Sequence, residues 1–241
     1  MNTRIAMLAL AVGASTALAD TVQLRTIGTV SGASGSAKVS SVLGGLSNQN
    51  VLAGQLHHKL GNKDIYTFCT ELAQFTSGSY QTFTLQEELE DAPVPGAGMG
   101  QDKAEAIGRM YRYAVADLGK NVFEKLASGN SNFAVAFQLA IWEVIEDYDK
   151  SETGGGLGFA SGDFQVNDFS TSGSTSDAVV QGLFTTLIGV AADLTRSFES
   201  RLGALTSERY QDQIVLVPLP SAAGLAAAGL LGVAAMRRRA R

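Results

Sequence analysis

The run from Ala136 to Asp147 holds the chain's single tryptophan inside an apolar segment of helical period. Phe133, Phe137, Ile141 and Val144 recur at intervals of three and four, which places them on one buried stripe of a helix, with Gln138 at its edge one turn before Trp142. A buried carboxamide must be hydrogen-bonded or put to use, because burying it without partners is costly. Its candidate partner is Cys69, the only cysteine, in Ile65-Tyr-Thr-Phe-Cys-Thr-Glu-Leu72.

Around this helix the chain reads as α+β, with a β-rich N-terminal half, sandwich or barrel-like, and two to three packed amphipathic helices. Thr21 to Leu60 is Gly/Ser-rich with short Val/Leu/Ile runs, which predicts short strands joined by flexible turns. Strand alternation over Asp64 to Leu72 puts Ile65, Thr67, Cys69 and Glu71 on one face and Tyr66, Phe68, Thr70 and Leu72 on the other, so Cys69 is expected to face away from its aromatic neighbours. Tyr80 to Leu85 is a further strand, and Pro93 to Gly100 a loop. Ala104, Ile107, Tyr111, Ala114 and Leu118 predict an amphipathic helix over Asp102 to Leu118, which Val122 to Leu126 can prolong. Ser131 or Asn132 is the expected cap of the Gln138 helix. Glu143, Glu146, Asp147 and Asp149 at its end read as a solvated acidic face. Ser151 to Ser176 reads as a low-complexity loop whose Phe159, Phe164 and Phe169 can tuck it back. Period-3.6 spacing from Val180 to Phe198 predicts one long helix over Asp177 to Leu205, and Ile214 and Leu216 a last strand.

The two ends have their own composition. Residues 1–19 show the basic, apolar and small-residue sections of a secretory signal peptide, with Asp20 as the expected first residue of the mature chain. Residues 217–241 run Val217-Pro218-Leu219-Pro220, then an Ala/Gly/Leu/Val segment, then Arg237-Arg238-Arg239 and Arg241. Basic residues after an apolar run are expected to hold that end on the cytoplasmic side, as a membrane-sorting helix at a transient membrane stop. Removing both ends leaves 13 of the 18 basic residues against all 23 acidic ones, so the domain over 20–216 has a net charge of −10. Nucleic acid is excluded as a partner on that ground.

The tail, with Ser221 in place of the usual Ala, resembles the VPLPA-CTERM class of PEP-CTERM-like sorting signals. That resemblance implies an exosortase-type sorting enzyme as partner, export through the inner membrane of a Gram-negative bacterium, and a final place at the cell surface or in the extracellular matrix. The aromatic-Cys-x-acidic segment at Cys69 and the later Phe-Gln-x-Ala-Ile-Trp-Glu segment together resemble the thioester domains of bacterial surface proteins over roughly Tyr66 to Asp149. The family pattern has Thr before the Gln, where this chain has Phe137. The resemblance implies that Cys69 and Gln138 condense into an internal thioester, with Trp142, Tyr66 and Phe68 as a supporting pocket that excludes water. It implies no enzyme, but self-acylation onto an amine or hydroxyl of an extracellular polysaccharide or surface protein.

A structural or carbohydrate-associated matrix protein, with Cys69 as a small buried hydrophobe, fits the same composition. A cysteine hydrolase would need a base beside Cys69, and only His57 and His58 are present, at a strand end. Those histidines point to opposite strand faces and cannot readily share a metal. The acidic cluster after Trp142 lacks an EF-hand loop and has no second carboxylate motif set against it. No Walker loop, dinucleotide fingerprint, Cys-x-x-Cys pair or serine elbow occurs, so neither cofactor nor metal is expected.

Overall fold

A computed structural model of the chain describes residues 21–170 and 175–217. The segment read as a signal peptide and the tail read as a sorting signal from Pro218, including Leu219, Pro220 and Arg237 to Arg239, lie outside the described residues. The fold is α+β, with β1 (Thr21–Ser41), β2 (Leu46–Leu60), β3 (Lys63–Cys69), β4 (Gln81–Gln86), α1 (Gln101–Ala116), α2 (Ser131–Asp147), β5 (Phe164–Asp168), α3 (Asp177–Ala192), β6 (Leu202–Thr206) and β7 (Gln213–Leu216).

All strand pairings are antiparallel, in the order β2-β3-β7-β6-β4-β1-β5. Because β1 also pairs with β2, the first six strands close into a ring, and β5 adds to the far end of β1. Each ring strand sends an apolar side chain into one small core: Leu24, Leu60, Ile65, Phe83, Leu205 and Val215. The β structure is therefore not confined to the N-terminal half, since β5, β6 and β7 come from the other end of the chain.

The Gly/Ser-rich start does not form several short strands. It forms one strand of 21 residues and a second of 15. Register shifts at Thr26/Gly28 and Thr29/Ser34 bend β1, so that Thr21 to Leu24 meet β4 and Lys38 to Ser41 meet β5. Glycine permits this at Gly54, where φ is +135° and a Cβ would stand 2.6 Å from the Ala33 carbonyl oxygen.

The second and larger core lies between the outside of the ring and the helices. At its centre is α2, buried on every side from Phe133 to Ile145, which is how a helix apolar all round is accommodated. Gln138 is thus inside the core rather than at the edge of a stripe. Phe137 packs edge-on against Phe68 at 4.9 Å and Tyr111 at 5.0 Å between ring centroids, with Phe133 at 5.4 Å. Arg109 on α1 is buried with its Nε donating to Ala191 O at 2.8 Å, which puts a cation at the negative end of α3.

Four other expectations fail for identifiable reasons. Residues 122–126 are a turn, because the buried Gln55 side chain donates to Val122 O and Glu124 O and accepts from Leu126 N–H. Asn130, not Ser131 or Asn132, is the α2 cap, and Asn132 instead accepts from Ser176 N–H at 2.9 Å. The segment 151–176 is not all loop, since Phe164–Asp168 forms β5; Phe164 and Phe169 pack inward, Phe169 against Phe184 at 5.5 Å, while Phe159 stays exposed. Finally, α3 stops at Ala192: Asp193 Oδ1 accepts from Thr195 N–H at 3.0 Å and Thr195 O–H at 2.7 Å, turning the chain. Leu194 and Phe198, which continue the apolar spacing, are exposed, and Leu202–Thr206 is a strand.

Candidate functional site

The C-terminal end of β3 and the middle of α2 meet at Cys69 and Gln138. Gln138 Oε1 accepts from Cys69 N–H at 3.0 Å and from the Cys69 thiol at 3.2 Å, while Gln138 Nε2 donates to Cys69 O at 2.8 Å. The carboxamide is therefore held at both polar ends by one residue's main chain, with the sulfur against its oxygen. Cys69 does not follow strand alternation. Ile65 faces the ring core and Phe68 the helix-side core, yet Cys69 lies in the same core as Phe68. The strand ends at Cys69, so the backbone there is free to turn the thiol toward α2.

Both residues are buried, Gln138 completely. Burial pushes the Cys69 thiol well above its ordinary range, and the Glu71 carboxylate adds to that. The Trp142 indole lies on the same cleft as Cys69. Its Nε1–H is buried without a hydrogen-bond partner. Trp142 is one turn after Gln138 and lines two clefts, one of about 520 Å³ that also reaches Cys69, and one of about 220 Å³ beneath Pro93 to Pro95.

The other two expected supporters sit differently. Phe68 backs the site from the core through Phe137. Tyr66 stacks on His57 at 5.1 Å and 22° and lines neither cleft, because its place in β3 opposes His57 of β2. His57 contacts Asp64 at 2.5 Å, and His58 Nδ1 meets Thr26 Oγ1 at 3.1 Å. Burial holds the His58 pKa down at about 4. His58 is thus a buried core residue rather than a polar strand end, and neither ring is hydrogen-bonded to Cys69 in the positions described.

A carboxyl pair flanks the site that sequence reasoning passed over. Asp212 accepts from Val94 N–H at 2.7 Å and Ser207 N–H at 2.6 Å, and its own N–H donates to Glu71 Oε1 at 3.3 Å. Burial raises both acids to about 7, with the Asp212 charge adding to the shift of Glu71. Glu71 was within reach of the sequence, as the acidic residue of the Cys-x-acidic segment. Asp212 carried no signal there.

Of the acidic residues expected to form a solvated face, only Asp149 is exposed. Glu146 takes the Ser41 hydroxyl at 2.5 Å and the Val42 and Leu43 N–H groups at 3.0 and 3.2 Å, and Asp147 takes the N–H groups of Asp163 and Phe164 at 2.7 and 2.9 Å. Glu143 is fully buried and accepts from Gly158 N–H at 2.7 Å. These carboxyls tie loops to the helix. Among the described residues no group of three or more His, Cys, Asp or Glu could hold a metal, and no helix is long and apolar enough to cross a membrane.

No family model, curated protein or solved structure matches this chain.

Proposed function

We propose that this is an exported, surface-sorted, non-enzymatic protein in which Cys69 and Gln138 condense into an internal thioester that attaches the domain covalently to a surface or matrix polymer. The observation that carries the reading is the two-ended grip of Cys69, which lines a cleft, on the buried Gln138 carboxamide. In the condensation the Sγ–Cδ bond forms, the Cδ–Nε2 bond breaks, and the thiol proton leaves with Nε2 as ammonia. The Cys69 N–H donates to the oxygen on which negative charge develops during attack, the role of an oxyanion-hole donor. Phe68 and Phe137 close the core side, and Trp142 lines the cleft beside Cys69, where its indole limits the access of water. Tyr66 has no direct part. The barrel-like ring serves as the rigid frame that fixes the end of β3.

Sorting is assigned to the tail: Val217 to Pro220 as the motif for an exosortase-type enzyme, the apolar run as a transient membrane anchor, and Arg237 to Arg239 as its cytoplasmic stop. A second reading, a structural or carbohydrate-associated matrix protein with no reactive bond, is favoured by one observation. Burial keeps the Cys69 thiol protonated and therefore a poor nucleophile.

Intact mass decides between them. Purified fresh and without amines, the mature domain should weigh less than its sequence by one ammonia, with Cys69 unreactive to thiol reagents until methylamine frees the thiol and labels residue 138. A protein of full mass whose Cys69 titrates once unfolded leaves the structural reading.

A further inference from the structure

We propose that the cleft of about 520 Å³ beside Cys69 binds a neutral, hydroxyl-rich polysaccharide chain and presents one of its hydroxyls to the acyl carbon of Gln138, an inference that rests on the thioester reading for its covalent step. The domain carries a net charge of −10, yet no Asp, Glu, Lys, Arg or His lines this cleft. Its polar groups are neutral, chiefly the amides of Gln49, Asn50 and Gln74 and the indole of Trp142, set among aliphatic side chains.

Two of those groups have buried atoms without partners: the Trp142 Nε1–H, a donor, and Gln74 Oε1, an acceptor. The Gln74 amide is not loose, since its Nε2 donates to Glu208 O at 3.1 Å and Val94 O at 3.4 Å. Leaving a buried donor and a buried acceptor unmatched is unfavourable, and sugar hydroxyls supply both complements. Phe75, 87% exposed at the rim, offers an aromatic face to the apolar side of a sugar ring.

Charged acceptors fit less well. An ammonium would give up its hydration for a lining without a carboxylate, and must also lose a proton before it can attack. A polyanion would meet no cation in the cleft and a domain of its own sign around it. When a hydroxyl reacts, its oxygen bonds to Cδ of residue 138, the Cδ–Sγ bond breaks, and the hydroxyl proton passes to Sγ. The products are an ester on residue 138 and a free Cys69 thiol.

The test uses the fluorescence of the chain's only tryptophan, in the purified mature protein and in Cys69→Ala, with a neutral glucan oligosaccharide, an oligouronate and 1,5-diaminopentane as three probes. The glucan should give a saturable change in both proteins, and the two charged probes none at the same concentration. Asn50→Ala and Leu52→Lys, at exposed positions in the cleft, should each weaken glucan binding by about tenfold or more. The intact protein should also gain an ester-linked glucan on residue 138. Glucan binding without an ammonia deficit or adduct would overturn the thioester reading and keep the cleft assignment. An ammonia deficit with no glucan response, or with faster capture of the diamine, overturns the cleft assignment and keeps the thioester.

Discussion

Gln138 hydrogen-bonds both main-chain polar groups of Cys69, its Oε1 accepting from the N–H at 3.0 Å and its Nε2 donating to the carbonyl at 2.8 Å. A side chain from the middle of a buried helix therefore does for the last residue of β3 what a neighbouring strand does elsewhere. Gln138→Ala should leave a buried donor and a buried acceptor unmatched and lower stability by about 2–4 kcal/mol. Cys69→Ala removes only a thiol from the same place and should cost about 1–2 kcal/mol. Urea unfolding of the two variants would check the order. Equal losses would mean that the grip contributes nothing beyond packing.

Phe137 stands where the thioester-domain pattern has Thr, and its surroundings give the reason. Its ring is met edge-on by Phe68 and Tyr111 and flanked by Phe133. Restoring the pattern with Phe137→Thr should empty the centre of that cluster and bury a hydroxyl, at a cost of about 3–5 kcal/mol by thermal or urea unfolding. A variant within 1 kcal/mol of the parent, on the order of the change for a volume-conserving swap, would show that the cluster can close over the gap.

The sorting role proposed for the tail allows a separate check. Val217 N–H donates to Arg201 O at 2.8 Å, a hydrogen bond that deletion of Pro218 to Arg241 leaves in place. The deleted protein should fold with unchanged stability and be released from the cell in soluble form. Replacing Arg237 to Arg239 alone should impair retention. Surface retention of the tail-less protein, seen by fractionation, would refute the tail's sorting role.

What could be read in the sequence was what local period encodes. The α2 helix and the inward Phe164 and Phe169 rest on residue type and spacing, whereas the pairing of Gln138 with the single cysteine was carried by the resemblance to thioester domains. The failures share one cause, which is partners distant in the chain. Glu146 and Asp147 look solvated until the unpaired N–H groups of 42–43 and 163–164 are brought to them. The Gly/Ser stretch looks broken until β2 lies along it and absorbs its bulges. The spacing of Leu194 and Phe198 continues a helix that the Asp193 side chain has already ended. Cys69 leaves the alternation of β3 because a carboxamide 69 residues away captures its main chain.

Glu143 should give this protein a stability that falls as pH rises through neutrality. Burial raises its pKa from 4.5 to about 8, and Oε1 accepts from Gly158 N–H while Oε2 has no partner, as suits an oxygen carrying the proton. Between these values the folded state holds a proton that the unfolded state has lost, so stability is greatest below the unfolded pKa and is lost toward the folded one. Glu71 and Asp212, raised to about 7, act in the same sense but are nearly spent above that pH. His58, lowered from 6.5 to about 4, acts in the opposite sense and only within that lower window. Glu143 is therefore the largest of these four contributions between pH 7 and 8, and comparison with Glu143→Gln isolates it. Wild-type protein should lose on the order of 1 kcal/mol across it by urea unfolding, up to the limit of 1.4 kcal/mol per proton and pH unit. Glu143→Gln keeps an acceptor for Gly158 N–H without a titrating group, and its loss over the same interval should be smaller by about that amount. Identical slopes in the two proteins would place an already ionised carboxylate at residue 143, with no part in the pH dependence over this interval.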